Sequence, residues 1–192
     1  MKTRCLSLAL TCLACLLLAI GICPAGASDD VSPVPALVSD ADKAGTNLRS
    51  APSGEVLGVL PFSPAPRLVL VLDSQKGWFR VLPFPIGEYE LEGASTAPAE
   101  GWMHGSVLAL CPCPSEDGDP WLYTAPRWDA ETDIRVPGAV PLRPLERKGA
   151  WLKVRAVKDG KAVERWVHEQ QVCASPGELL ECHARILQPR KQ

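Results

Sequence analysis

The sequence predicts a mainly β chain: two small β-barrels in tandem, followed by a short C-terminal helix. Three observations carry this expectation. A short pattern occurs twice, since Gly77-Trp78-Phe79-Arg80-Val81 and Gly101-Trp102-Met103-His104 return as Ala150-Trp151-Leu152-Lys153-Val154 and Arg165-Trp166-Val167-His168. Matching openers, Leu48-Arg49-Ser50-Ala51-Pro52 and Leu122-Tyr123-Thr124-Ala125-Pro126, recur after 74 residues, and the first tryptophan after 73. Two copies of one small unit follow. The 19 prolines and 15 glycines are spread along the chain, which favours many short strands over long helices.

Taken in order, Lys2 and Arg4 precede an almost unbroken apolar run from Cys5 to Ile22, and Ala25-Gly26-Ala27 offers small residues for a cut before Ser28. Residues 1–27 therefore have the form of a secretory signal peptide. The alternative is an uncleaved anchor, since 18 apolar residues just span a bilayer. Residues 28–45, rich in Ser, Pro, Asp and Ala, are expected as a flexible leader. The first unit is 46–110. Val56–Leu60 and Leu68–Leu72 are short apolar runs with strand character, and Asp73–Gly77 is expected to turn the chain into the Trp78 strand. Alternation there puts Phe79 and Val81 on one face, Trp78 and Arg80 on the other. Residues 83–100 are too proline-rich for a tight hairpin and are expected as an elaborated loop.

Residues 111–120, proline-stiffened and acidic, form the linker to a second unit at 121–174. Val140–Leu145 is a proline-broken and hence edge strand. Lys158-Asp159-Gly160-Lys161 predicts a two-residue type I′ turn, because both central positions need positive φ. In the tail, 175–192, Ser175-Pro176-Gly177-Glu178 has capping-box spacing with proline at the first helical position. Leu179, Cys182, His183 and Ile186 share one face behind it, so Pro176–Leu187 is expected to be a short amphipathic helix.

Without residues 1–27 the chain keeps a net charge of −4 and no cluster of Lys and Arg, which argues against a nucleic-acid partner. Four of the eight cysteines also leave with that segment. The remaining Cys111, Cys113, Cys173 and Cys182 lie in a chain bound for an oxidising compartment. A bridge between Cys111 and Cys113 is strained by their spacing, and the expected helix start separates Cys173 from Cys182. Disulfides from linker to tail, Cys111 or Cys113 with Cys173 or Cys182, are therefore expected. The alternative is a metal site from Cys111, Cys113, Cys182 and His183; no cofactor is expected.

The ordered set Leu48–Pro52, Gly58-Val59-Leu60, Gly77–Val81 and Gly101–His104 resembles bacterial SH3-like (SH3b) domains, which open with a Leu-x-Val-Arg-x-x-Pro stretch and close with Gly-Trp-Val. In the second unit Tyr123 and Thr124 stand where the arginine is wanted, and Arg165 replaces the glycine before Trp166. The resemblance implies exported, non-catalytic modules, often working beside cell-wall enzymes and thought to bind peptidoglycan or its peptides. No attached catalytic domain is expected.

His104 and His168 each follow a tryptophan by two residues, so a shared structural role at a strand end explains both, and no base–nucleophile–orienter set accompanies them. Trp78, Trp102, Tyr123, Trp151 and Trp166 are the candidate ligand-binding residues, with Trp121 and Trp128 extending a similar surface on the second unit. Exposed aromatic rings stack on sugars or hold an extended peptide; the same rings also seal small cores. The expected function is a periplasmic or secreted binding module for cell-wall glycan or peptide, with no stable membrane anchor once the signal is cleaved. The alternative is a structural adaptor for another exported protein, docking through loop 83–100.

Overall fold

Tight turns set the register of the strands. In the computed structural model, which describes residues 32–62, 66–84, 100–138 and 140–187, Asp159 (φ 51°) and Gly160 (φ 74°) join β11 (Trp151–Lys158) to β12 (Lys161–His168). This is the type I′ geometry expected of Asp-Gly, whose twist matches the flanking strands. Lys76 (φ 50°) and Gly77 (φ 81°) do the same between β4 (Leu68–Gln75) and β5 (Trp78–Phe84). β4 therefore continues through Asp73-Ser74-Gln75, where the sequence suggested a longer turn. The expected signal peptide and residues 85–99 of the expected loop lie outside the described residues.

The remaining strands are β1 (Val34–Val38), β2 (Thr46–Arg49), β3 (Val56–Leu60), β6 (Gly101–His104), β7 (Leu108–Ala109), β8 (Trp121–Tyr123), β9 (Thr132–Arg135) and β10 (Arg143–Lys148). They form two antiparallel sheets, β3-β2-β6-β5-β4-β1-β7 and β9-β8-β12-β11-β10. The first five strands of the larger sheet and the five of the smaller follow the same succession. Even the bulges correspond: the register slips between Val71 and Asp73 in β4 and between Pro144 and Glu146 in β10. A second matched pair falls at Leu48/Arg49 and Leu122/Tyr123. The doubled sequence pattern is thus a doubled strand pattern, and the molecule is mainly β.

Three expectations need correction. Within the supposed flexible leader, Val34–Val38 is a strand paired with β4 and β7, with Val34, Ala36 and Leu37 buried. Its apolar side chains find a vacant sheet edge, which outweighs the loop-like composition around them. The linker is not a bare tether either, because Pro112 bridges Val172 and the Cys113 N–H donates to the Gln171 carbonyl. Lastly, among the described residues no ladder joins β3 to β4 or β9 to β10, so the sheets do not close into barrels. Their inner faces are covered instead by one continuous core, with Phe79, Val81 and Met103 from the first half and Leu122, Leu152, Val154 and Val167 from the second. Burial of both faces in a shared core removes the need for closure.

The edge strand β10 carries the polar side of this junction. The Arg147 side chain is buried, donates to the carbonyls of Val71 and Ser32, and pairs with Glu169 at 3.0 Å. Arg143 donates to the carbonyls of Ser106 (2.6 Å) and Leu108 (3.1 Å). At the far end α1 spans Pro176–Leu187 as expected, with Ser175 Oγ accepting from the Glu178 N–H at 3.5 Å. Its buried Leu179 and Cys182 pack with Leu37, Leu68 and Ala109 in a second apolar cluster. Cys111 and Cys182 form a disulfide with a Cα–Cα distance of 6.0 Å, one of the linker-to-tail bonds expected. That bond rules out the proposed Cys111/Cys113/Cys182/His183 metal site, since neither bonded sulfur remains a thiolate ligand.

Candidate functional site

The outer face of the smaller sheet gathers four rings. Alternation along β11 sends Leu152, Val154 and Ala156 into the core and leaves Trp151 on the opposite face. In the ladder Trp151 lies opposite His168, and Trp166 opposite both Lys153 and Tyr123. The loop after β8 then folds back over this face. It is closed by hydrogen bonds from the Thr124 N–H to the Glu131 carbonyl (2.9 Å) and from the Arg127 N–H to the Ala125 carbonyl (2.9 Å), which positions Trp128.

The resulting cluster is tight. Trp128 lies 5.6 Å from Tyr123, 5.1 Å from Trp151 and 4.4 Å from His168, while Trp151 lies 5.1 Å from Tyr123 and 4.9 Å from His168. Most pairs meet edge to face, the arrangement favoured by the ring quadrupoles. Trp128 is 54% exposed, so the cluster presents a ring to solvent that the other three hold in place. Burial pushes the His168 imidazole below its ordinary value, with Glu169 pulling the other way. The platform is therefore uncharged at neutral pH, although the exposed Arg127–Asp129 pair (3.5 Å) flanks Trp128 in sequence.

Both histidines have the structural role expected of them. Each is the N-cap of a short 3-10 turn. His104 Nδ1 accepts from the Ser106 N–H and His168 Nδ1 from the Gln170 N–H, both at 3.3 Å. His104 Nδ1 also meets Ser106 Oγ at 2.8 Å, but among the described residues no carboxylate hydrogen-bonds either imidazole. His168 serves in addition as one wall of the ring cluster, a part its sequence position did not suggest.

The five candidate residues separate into three groups. Tyr123 and Trp151 belong to the cluster. Trp78 and Trp102 are half-buried on the larger sheet, where Trp78 meets His104 at 5.2 Å and the Arg49 guanidinium lies 5.9 Å from its ring. Trp102 is paired with Arg49 and Arg80 in the ladders. Trp166, at 9% exposure, is a packing residue. Trp121 is exposed but lies under the Arg135 guanidinium, 5.1 Å from its ring, and is not part of the cluster. A separate depression of about 410 Å³, lined by Ile134, Val136, Pro137, Val140, Leu142 and Val157 among others, shares no residue with the rings.

No protein-family model and no curated protein matches the chain. Among solved structures it is similar to NlpC1 and NlpC2 from Trichomonas vaginalis, at 11% and 12% identity with TM-scores of 0.28 and 0.27. These similarities cover 76% and 75% of this chain but only 47% and 48% of those chains, so it spans about half their length. A likeness this weak transfers no activity.

Proposed function

We propose that the chain is an exported, non-catalytic binding module of two SH3-like units that recognises glycan or peptide of the cell wall. Tyr123, Trp128 and Trp151 are its contact surface. The observation that carries this reading is the half-exposed Trp128 braced by three rings. A single exposed tryptophan is ordinary, but one held by its neighbours loses little freedom on binding. Its indole face suits the C–H face of a sugar or an extended peptide, and the indole N–H and phenol O–H supply directed bonds. The secretory form of residues 1–27 supports a periplasmic or secreted location. A binding role is favoured over hydrolysis because both histidines commit Nδ1 to capping.

The test is retention on purified peptidoglycan sacculi. The wild-type chain should sediment with them, and Trp128→Ala should bind at least about tenfold more weakly, the loss typical of an aromatic anchor. Absence of wild-type retention would remove the reading.

The adaptor alternative has an observation of its own. β3 is the outermost strand of the larger sheet, and Val56, Leu57, Val59 and the following Phe62 are between 45% and 49% exposed. An apolar edge strand is a template for strand addition by another protein. A stoichiometric exported partner captured by the wild type, lost in Val59→Lys and retained in Trp128→Ala, would favour this reading over the first.

A further inference from the structure

The disulfide between Cys111 and Cys182 leaves Cys113 and Cys173 as thiols. We propose that these two are a site of thiol–disulfide modification: they close into a second linker-to-tail bond by exchange with a small disulfide such as oxidised glutathione. The inference is independent of the aromatic platform.

Proximity comes first. The Cys113 and Cys173 sulfurs and a Glu178 carboxylate oxygen all lie within 4.8 Å of one another. Their chain segments are already laced together, with the Cys113 N–H donating to the Gln171 carbonyl and the Cys173 N–H to the Cys111 carbonyl, each at 2.8 Å. The bond between Cys111 and Cys182 shows that the same linker and tail accommodate a crosslink. Closing the second pair therefore asks for side-chain rotation and small local adjustment, since the segments are held together.

Access distinguishes the two pairs. Cys111 and Cys182 are fully buried, whereas Cys113 is half-exposed and Cys173 borders a cavity of about 320 Å³ lined also by Pro114, Asp119, Pro137, Glu178 and Glu181. A small disulfide can reach the second pair and not the first. The thiols are held protonated, because Cys113 Sγ donates to Glu178 Oε1 at 2.9 Å, Cys173 Sγ donates to the Pro112 carbonyl at 3.4 Å, and burial raises both. Reaction is then slow at neutral pH and quickens as alkali supplies thiolate.

The exchange balances. The Cys113 thiolate attacks one sulfur of the reagent, forming a mixed disulfide and expelling one thiolate. The Cys173 thiolate then attacks the Cys113 sulfur, forming the Cys113–Cys173 bond and expelling the second. The two protons from the protein thiols pass through solvent to the released thiolates. The protein loses two electrons, and the reagent becomes two thiols. A soft metal ion would need both thiolates and a fourth donor, and the disulfide next door marks oxidation as the commoner fate.

Alkylation followed by peptide mass mapping of the full chain tests this. After mild reduction, Cys113 and Cys173 should be labelled while Cys111–Cys182 remains bonded. In excess oxidised glutathione both labels should vanish together, with a Cys113–Cys173 linked peptide and a rate rising about tenfold per pH unit near neutrality. Cys113→Ser should yield no new intramolecular link. Persistence of both labels, arrest at the mixed disulfide, linkage to Cys111 or Cys182, or protection by added Zn²⁺ without linkage would each overturn the proposal.

Discussion

The two halves of the molecule share five strands in one succession, and they part most visibly at one corner. In the first half the Arg49 guanidinium lies over Trp78 and donates to the Gly54 carbonyl at 2.8 Å, closing the loop after β2. In the second, Tyr123 stands in the place of Arg49, and Trp128 lies 74 residues beyond Gly54. The second loop is also longer, since the Thr124 N–H reaches the Glu131 carbonyl where the Ser50 N–H reaches that of Glu55. A cation and a short loop seal the corner; a phenol, an indole and a longer loop build a platform on it. The bulges and histidine caps are common to both halves because strand register and strand ends depend on them. The loop is free to diverge because no ladder bond passes through it.

The largest effect is expected where the halves meet. Ser74 and Arg147 occupy corresponding places, 73 residues apart, and they touch: the Arg147 N–H donates to Ser74 Oγ at 2.6 Å. Arg143 and Arg147 both carry a charge across the junction, and Arg147 is the buried one of the two. Arg147→Ala strands the carbonyls of Val71 and Ser32 and leaves Glu169 without its cation, and should cost on the order of 3 kcal/mol in urea unfolding. An effect below about 1 kcal/mol would mean that the junction does not depend on the Arg147 guanidinium.

A smaller effect should come from Gly101, whose counterpart is Arg165. A Cβ at Gly101 would lie 2.5 Å from Leu48 Cγ, a contact that forces the core to shift. Gly101→Ala should therefore destabilise by about 1–3 kcal/mol through overpacking. Arg165→Gly should cost less, because the arginine extends to Asp133 rather than into the core. Equal losses at the two sites would show that the halves are packed more alike than their residues suggest.

Much of this was legible in the sequence, and what was hidden has physical causes. The tryptophan spacing exposed the duplication, Asp159-Gly160 the hairpin, and Ser175-Pro176 the helix start, because each depends on local geometry. Val34–Val38 was obscured because a five-residue strand flanked by Pro and Ser has too few residues to show a period. Trp128 was visible only as one of several aromatics, since its partners come from three other segments and its loop has no periodicity. Alternation assigned Phe79 and Leu152 to inner faces but did not say that one core would cover both. The cysteine pairing stayed open because Cys111 and Cys113 are alike in sequence, and only the fold buries one and half-exposes the other.

The subtlest contrast lies in the bulges of β3 and β9. The residue displaced by the slip is Leu57 in the first half, exposed to water, and Asp133 in the second. Asp133 accepts from Arg165 Nε (2.8 Å) and Nη2 (2.6 Å) and from Lys158 Nζ (2.8 Å), tying β9 to β12 and to the end of β11. Those bonds, Arg165 first and Lys158 second, hold its carboxyl well below the usual carboxylate range. A depressed acid stabilises the fold fully above its unfolded value, near pH 4, and loses that contribution as pH falls toward the folded value. Asp133→Asn should therefore cost about 1 kcal/mol at pH 7, since Lys158 is substantially exposed and the bidentate Arg165 pair carries most of the interaction. The gap between wild type and variant should narrow below pH 4, while Leu57→Ala should show a small and pH-independent effect. A gap that stays constant from pH 7 down to pH 3 would show that Asp133 acts through shape rather than charge, and that the two bulges are equivalent after all.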